Sequence, residues 1–231
     1  MISKVIKYIQ RPLICGLRAA KILLSGHGQT RKDRLGNCID ANGCPIPWMT
    51  YSAIEFLRGY DLSFCDVFEF GSGSSTFFWA KHCNSVISVE HYQPWFEKMN
   101  EYQNNKTTII PQFDLSKYPE EIHNYTEFDL IVIDGAERMR ATQSSLEHIK
   151  KHGIIIVDNS EWYQNCCALL RGHGFSQYDF CGFTPLNSFT SMTSIFVRGS
   201  LPFAYKPKPA HWTPIGGKPL DHLPPDDVLP E

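Results

Sequence analysis

The chain has 231 residues, of which 42% are apolar and 13% aromatic, and its formal net charge is −2. A chain of this length buries roughly 70% of the surface that its unfolded form exposes, so it can form a substantial core. This composition argues against a collagen-like, coiled-coil or largely disordered chain.

Charge is distributed unevenly along the chain. The first 32 residues hold seven basic residues and no acidic residue, which leaves 15 basic and 24 acidic residues for the remainder. Because broad electrostatic binding to DNA or RNA needs a basic folded surface, we predict no nucleic-acid partner for the acidic body.

The basic head, residues 1–32, has the pattern of a helix. It is either a cap packed on the domain or an amphipathic helix that contacts an anionic membrane or a partner. Arg11, Arg18 and Lys21 interrupt its apolar stretches, so we predict neither a cleaved signal nor a membrane-spanning segment. The sequence therefore favours a cytoplasmic protein.

Short apolar runs rich in β-branched residues recur through the middle of the chain, and helix-like segments separate the first five. Runs this apolar are typical of strands covered on both faces, so they predict a parallel α/β sheet, preceded by a helix at 51–57. The final two runs have no helical pattern between them and predict an antiparallel hairpin at the sheet edge. The predicted strands are 66–70, 85–89, 107–110, 128–133, 153–157, 178–183 and 194–197.

The chain divides into three parts. Residues 1–36 form the basic amino-terminal segment and residues 37–200 the α/β domain. Residues 201–231 hold eight of the 15 prolines, which predicts an extended or loose tail.

The eight cysteines include no C-x-x-C pair, so we predict neither a disulfide scaffold nor a cysteine-based zinc site.

A glycine loop follows the first predicted strand, in the segment Glu69-Phe-Gly-Ser-Gly-Ser-Ser-Thr76. Gly71 and Gly73 allow a tight turn and close approach of a ligand, and the next helix offers free N–H groups. A dinucleotide-binding loop would have a third Gly or Ala where this chain has Thr76. Glu90, which ends the second predicted strand, can accept two hydrogen bonds from vicinal ribose hydroxyls.

These residues, together with Ile133-Asp-Gly-Ala136 and Ile154-Ile-Ile-Val-Asp-Asn-Ser160, make residues 45–198 resemble the class I S-adenosylmethionine-dependent methyltransferases. The small-molecule O-methyltransferases are the most similar type. The resemblance implies a Rossmann-like α/β fold, with a seven-stranded, mostly parallel sheet, an antiparallel last strand and helices on both faces.

The resemblance also implies that S-adenosyl-L-methionine is the cofactor. It places the methionine part of the cofactor against the glycine loop, the ribose on the second strand and the adenine after the third. The residues implied to bind it are Glu69, Gly71, Ser72, Gly73, Ser75, Glu90, His91, Asp114 and Asp134.

Two acidic side chains follow the fourth and fifth strands, where ligands gather in open α/β sheets. The resemblance implies that Asp134 and Asp158 are catalytic and assist methyl transfer to a hydroxyl of a small molecule or glycan. A subset of O-methyltransferases binds a divalent cation at such positions, and Asp134, Asp158 and Asn159 match it. Oxygen ligands of this kind suit Mg²⁺ or another hard ion. The alternative is a turn in which Asp158 caps the helix that follows.

Two other functions stay open at this point. A nicotinamide-dependent oxidoreductase could use the same strand, loop and helix, but it would need a catalytic pair such as Tyr-x-x-x-Lys, which we do not find. A non-catalytic domain could keep the fold and bind a partner or membrane through the head and tail.

For the methyltransferase hypothesis, the candidates for the wall of an acceptor pocket are Trp48, Tyr51 and Trp162.

Overall fold

The computed structural model describes residues 2–203, 205–206 and 215–216, with side chains from residue 11 onward. Seven strands form one sheet in the order β3-β2-β1-β4-β5-β7-β6. The strands are β1 Asp66–Phe70, β2 Ser85–Glu90, β3 Thr107–Pro111, β4 Phe128–Ile133, β5 Ile149–Val157, β6 Ser176–Phe183 and β7 Thr190–Val197. The helices are α1 Ile2–Lys21, α2 Tyr51–Arg58, α3 Ser74–His82, α4 Gln93–Asn100, α5 Arg138–His148 and α6 Gln164–Gly172, with a π-helix at Ile22–His27 and a 3-10 helix at Tyr118–Asn124.

The direction of the strands confirms the predicted fold class. Strands β1 to β5 pair in parallel, whereas β7 is antiparallel to both β5 and β6. The predicted edge hairpin is therefore confirmed. Strand β5 begins four residues before its predicted start, because Ile149 pairs with Phe128 ahead of a register shift. Because residues 150–152 are polar, the apolar pattern of the sequence does not indicate this extension.

The sheet is covered on both faces, as the apolar strands predict. On one face Val67 and Val132 pack in a core with Trp79 of α3. On the other face Phe70 and Ile133 pack in a second core. The second core includes α6 and the 3-10 helix. Alternate residues of each central strand point to opposite faces, so one strand supplies both cores.

Helix α1 is exposed along the part whose side chains are described. Every side chain from residue 11 to residue 20 is exposed, and Leu13 and Leu17 are 61% and 63% accessible. The interpretation of this segment as a packed cap is therefore wrong for these residues. Within the described residues, no helix is both long and apolar enough to cross a membrane.

The carboxy-terminal tail is described only in part. Phe203 is buried, and the N–H of Lys206 donates to the carbonyl of Gly59 at 2.8 Å. The prediction of an extended or loose tail at 201–231 otherwise lies outside the described residues.

Candidate active site

Two glycines bring the ends of β1 and β4 into contact. Gly71 has a φ of +104°, and a Cβ there would lie 3.3 Å from the Cα of Gly135. A Cβ on Gly135 would lie 2.0 Å from the hydroxyl oxygen of Tyr118 and 2.9 Å from the nitrogen of Gly71. Only glycine fits at either position, and the close approach forms the floor of a cleft at the carboxyl edge of the sheet.

The carboxylate of Glu90 holds the glycine loop from one side. One of its oxygens accepts hydrogen bonds from the N–H and hydroxyl of Ser72, at 3.0 and 2.7 Å. The other oxygen accepts from the N–H of Tyr92 at 2.8 Å. The indole N–H of Trp95 donates to the carbonyl of Ser72 at 2.8 Å, which adds a second contact that holds the loop.

Glu69 supports the same loop from beneath. Its carboxylate accepts from the hydroxyls of Thr76 and Ser88 at 2.6 and 2.7 Å, and burial raises its pKa to about 7. The hydroxyl of Thr76 in turn accepts from the N–H of Gly73 at 3.0 Å. Thr76 is fully buried, so its side chain fills the space behind the loop.

A cleft lies in front of the glycine loop. It is lined by most of the residues predicted to bind the cofactor, while Gly73 lines an adjoining cavity that also contains Trp48. The residues that line the cleft are Glu69, Gly71, Ser72, Ser75, Glu90, His91, Tyr92, Trp95, Asp134 and Gly135.

Asp114, predicted to lie near the adenine, is engaged in a local turn. Its carboxylate accepts from the N–H and hydroxyl of Ser116 at 2.9 and 2.6 Å. These bonds lower its pKa below the ordinary value. Its side chain is 50% exposed and lies outside the lining of the cleft.

A buried guanidinium lies between the two acidic strand ends. Arg138, which begins α5, donates from Nη2 to the Oδ1 and the carbonyl of Asp134, each at 3.0 Å. Its Nε donates to the carbonyl of Gly135 at 3.1 Å, and its Nη1 donates to the carbonyl of Asp158. The Arg138 side chain is 9% exposed, and its guanidinium carbon lies 4.3 Å from the centre of the Tyr163 ring.

The two carboxyl groups differ in their surroundings. Burial raises the pKa of Asp134 to about 6, although the charge of Arg138 acts in the opposite direction. Asp158 is deeply buried, and burial together with the charge of Asp134 raises its pKa well above the ordinary value. Its Oδ1 accepts from the hydroxyl of Thr193 at 2.5 Å. Asp134 is therefore the more accessible acid at this edge, with 25% of its side chain exposed.

Comparison with solved structures addresses the fold. Neither a family model nor a curated protein matches the sequence. The chain is similar to a protein described as an O-methyltransferase from Klebsiella pneumoniae, with 13% identity, a TM-score of 0.50 and coverage of 64% of this chain and 78% of the other. It is also similar to precorrin-6y C5,15-methyltransferase from Geobacter metallireducens GS-15, with 11% identity, a TM-score of 0.48 and coverage of 59% and 82%.

The similarity to the Klebsiella structure concerns the fold, whose strand order in this chain is β3-β2-β1-β4-β5-β7-β6. The chain has the class I methyltransferase fold. Asp134 lines the cleft beside the glycine loop and also a second cavity, so the two cavities lie next to each other.

The predicted cation site of this methyltransferase fold is taken up by Arg138. Its Nη2 lies 3.0 Å from Asp134 Oδ1 and 3.5 Å from Asn159 Oδ1. The amide of Asn159 also donates to the hydroxyl of Ser191 at 3.0 Å. A Mg²⁺ ion at the same oxygens would face a buried positive charge. The residues present therefore do not fit the Mg²⁺ site that the sequence predicts.

A second cavity lies on the far side of Asp134. Trp48 and Trp162 line it, as expected for an acceptor pocket, and are 49% and 65% exposed. Phe189 adds a third exposed ring. Tyr51, the other candidate, lies elsewhere and stacks on His27 with the ring centres 4.1 Å apart.

Sequence reasoning missed three residues that shape the site. Arg138 lies only four residues after Asp134, so an ion pair between these neighbours in the chain could have been considered. Trp95 and Tyr118 carry no comparable signal, because their contacts with the loop and with Gly135 depend on how the strands are arranged.

Proposed function

We propose that this protein is a methyltransferase that uses S-adenosyl-L-methionine to methylate a hydroxyl of a small molecule or glycan. The observation that carries the proposal is the buried carboxylate of Glu90 at the end of β2, facing a cleft beside a glycine loop on a class I fold. That carboxylate can accept the ribose hydroxyls, while the loop around Gly71 and Gly73 lies against the methionine part.

The sulfonium of the cofactor is itself a strong methyl donor. The protein's main task is therefore to hold the donor carbon and the acceptor oxygen in line. Asp134 lines both the cofactor cleft and the aromatic cavity, so its carboxylate is placed to remove the hydroxyl proton as the new bond forms.

Arg138 keeps Asp134 in position for this task. Its guanidinium is fixed by three backbone carbonyls and lies against the Tyr163 ring, so it supplies a rigid positive charge behind the carboxylate. We propose that this charge takes the place that a hard metal ion has in metal-dependent relatives of the fold, so that transfer proceeds without Mg²⁺.

The acceptor is proposed to be flat or sugar-like. Trp48, Trp162 and Phe189 offer exposed rings beside Asp134, and such rings pack against phenols or the apolar faces of sugars.

The buried Thr76 side chain supports this function over a nicotinamide-dependent one. It occupies the position where a dinucleotide loop needs a small residue to admit the pyrophosphate.

Replacing Glu90 with alanine tests the cofactor assignment. Glu90→Ala removes the acceptor for the ribose hydroxyls and a clamp on Ser72, so S-adenosylhomocysteine affinity should fall at least about tenfold. Isothermal titration calorimetry measures this directly. Glu97→Ala is the matched control, because this carboxylate lies on the next helix and bonds only to exposed Gln93 among the contacts described. Unchanged affinity in Glu90→Ala would overturn the cofactor assignment.

We further propose that the basic head attaches the protein to anionic lipid. Leu13, Ile14 and Leu17 are exposed at helical spacing, and the acid-free head complements a negative surface. The paired change Leu13→Ser and Leu17→Ser should reduce sedimentation with phosphatidylserine vesicles about tenfold. Phosphatidylcholine vesicles are the control and should bind weakly. Equal binding to both lipids, or none to either, would contradict this role.

A further inference from the structure

Two histidines meet on the surface away from the proposed active site. His123 lies on the 3-10 helix at Tyr118–Asn124, and His148 ends α5. Nδ1 of His123 and Nε2 of His148 are 2.8 Å apart. The carboxylate of Glu147 completes the group, since one ligand atom from each of the three residues lies within 4.8 Å of the others.

The outer nitrogen of each ring faces an oxygen acceptor. Nδ1 of His148 lies 2.8 Å from the carbonyl oxygen of Thr126, and Nε2 of His123 lies 3.3 Å from a carboxylate oxygen of Glu120. Because a carbonyl only accepts hydrogen bonds, Nδ1 of His148 carries a proton, and the nearby carboxylate of Glu120 favours a proton on Nε2 of His123 as well. In neutral rings the two inner nitrogens are then both lone pairs, and they point at each other.

Two opposed lone pairs need a positive charge between them. A carboxylate or carbonyl behind each imidazole is also the usual support of a metal-binding histidine, because it fixes the tautomer and orients the ring. Glu120 is itself held by Arg140 at 3.1 Å. We propose that His123, Glu147 and His148 form a binding site for a divalent transition-metal ion of the zinc class.

The geometry needs only a small adjustment to bind such an ion. Tetrahedral zinc with bonds to nitrogen of about 2.0 Å separates its two ligand nitrogens by about 3.3 Å, so the histidine rings would part by about half an ångström. Glu147 would supply the third ligand and water the fourth. Two imidazoles and one carboxylate favour Zn²⁺, Co²⁺ or Ni²⁺ over Mg²⁺.

The proposed ion would join two elements, one of which contacts Gly135 in the lining of the cofactor cleft. The 3-10 helix carries Tyr118, whose hydroxyl lies against Gly135 and donates to the carbonyl of Val89 at 3.3 Å. A metal bridge from His123 to His148 would tie this helix to the end of α5. The ion is thus structural, and the proposal does not depend on the methyl-transfer function.

Cobalt binding to the full chain tests the site. Protein cleared of metal by chelator should bind one Co²⁺ and show its visible absorption without a thiolate-to-cobalt charge-transfer band. Saturation should raise the thermal midpoint by about 5–10 °C at a hundredfold excess over Kd. His123→Ala should weaken binding at least about tenfold, and Glu147→Gln should weaken it less.

The matched control is His152→Ala, which removes another exposed histidine a few residues beyond His148. It should bind Co²⁺ as the unchanged protein does. Absence of binding in the unchanged protein would mean that the two histidines share only a proton, and this would overturn the proposal. Unchanged affinity in His123→Ala, or a thiolate band, would do so as well, because either result places the ion elsewhere.

Discussion

Asp134→Asn is expected to lower the methyl-transfer rate by about 10²- to 10⁴-fold, the usual contribution of a general base. The amide keeps the size of the side chain and one hydrogen-bond acceptor for Arg138, but it cannot take the proton of the acceptor hydroxyl. S-adenosylhomocysteine affinity should stay within about threefold. A methyl-release assay over a panel of phenols and sugars measures the rate, and calorimetry measures the affinity.

The pH dependence gives a second measurement of the same residue. Because burial raises the pKa of Asp134 to about 6, the carboxyl group is protonated and inactive as a base below that pH. The rate should rise tenfold per pH unit below about pH 6 and level off above it. In Asp134→Asn this rise should disappear. A full rate in the variant would contradict the assignment of Asp134 as the base.

Asp158→Asn is the control for this pair of acids. Asp158 is deeply buried, and its Oδ1 already accepts a hydrogen bond from Thr193. Asp158 also lines the aromatic cavity, but the fold holds its carboxyl group in place and leaves it only 2% exposed. We expect a much smaller loss of rate than in Asp134→Asn. An equal or larger loss would indicate that Asp158, which the sequence also predicts to be catalytic, is the base.

The fold was readable from the sequence because its signals are local. The apolar run 128–133 is a strand buried on both faces, and its boundaries in the structure are the predicted ones. The edge hairpin was also predictable, because the segment between its strands has no helical pattern. The start of β5 was not, since the polar residues 150–152 follow Ile149 and interrupt the apolar pattern.

The residues of the candidate site also differ in whether a local sequence pattern marks them. Gly71 could be identified because a glycine loop after a strand is a local pattern, and its φ of +104° requires glycine. Only its position after β3 marks Asp114 in the sequence, and in the structure its carboxylate forms a turn with Ser116. The contact of His123 with His148 joins residues 25 positions apart, and no local pattern predicts it.

Arg138 decides whether the acidic strand ends can bind a metal. Arg138→Ala should lower the free energy of unfolding by about 3 kcal/mol, because it leaves the charge of Asp134 beside Asp158 without a buried partner. Denaturant unfolding measures this loss. Arg138→Lys keeps a positive charge but lacks the planar fork that reaches three carbonyls, so it should recover only part of the stability.

Removing the guanidinium should also create affinity for Mg²⁺. In Arg138→Ala the oxygens of Asp134, Asp158 and Asn159 are left at one edge without a cation, and this is the oxygen set that a hard ion prefers. Mg²⁺ should therefore raise the thermal midpoint of Arg138→Ala and leave the unchanged protein and Arg138→Lys unaffected. The histidine pair His123 and His148 binds Mg²⁺ poorly, because imidazole is a poor ligand for this ion, so the two sites can be measured separately. If the unchanged protein binds Mg²⁺ as tightly as Arg138→Ala does, then the guanidinium of Arg138 does not occupy the cation position. A guanidinium at that position would have to move before Mg²⁺ could bind.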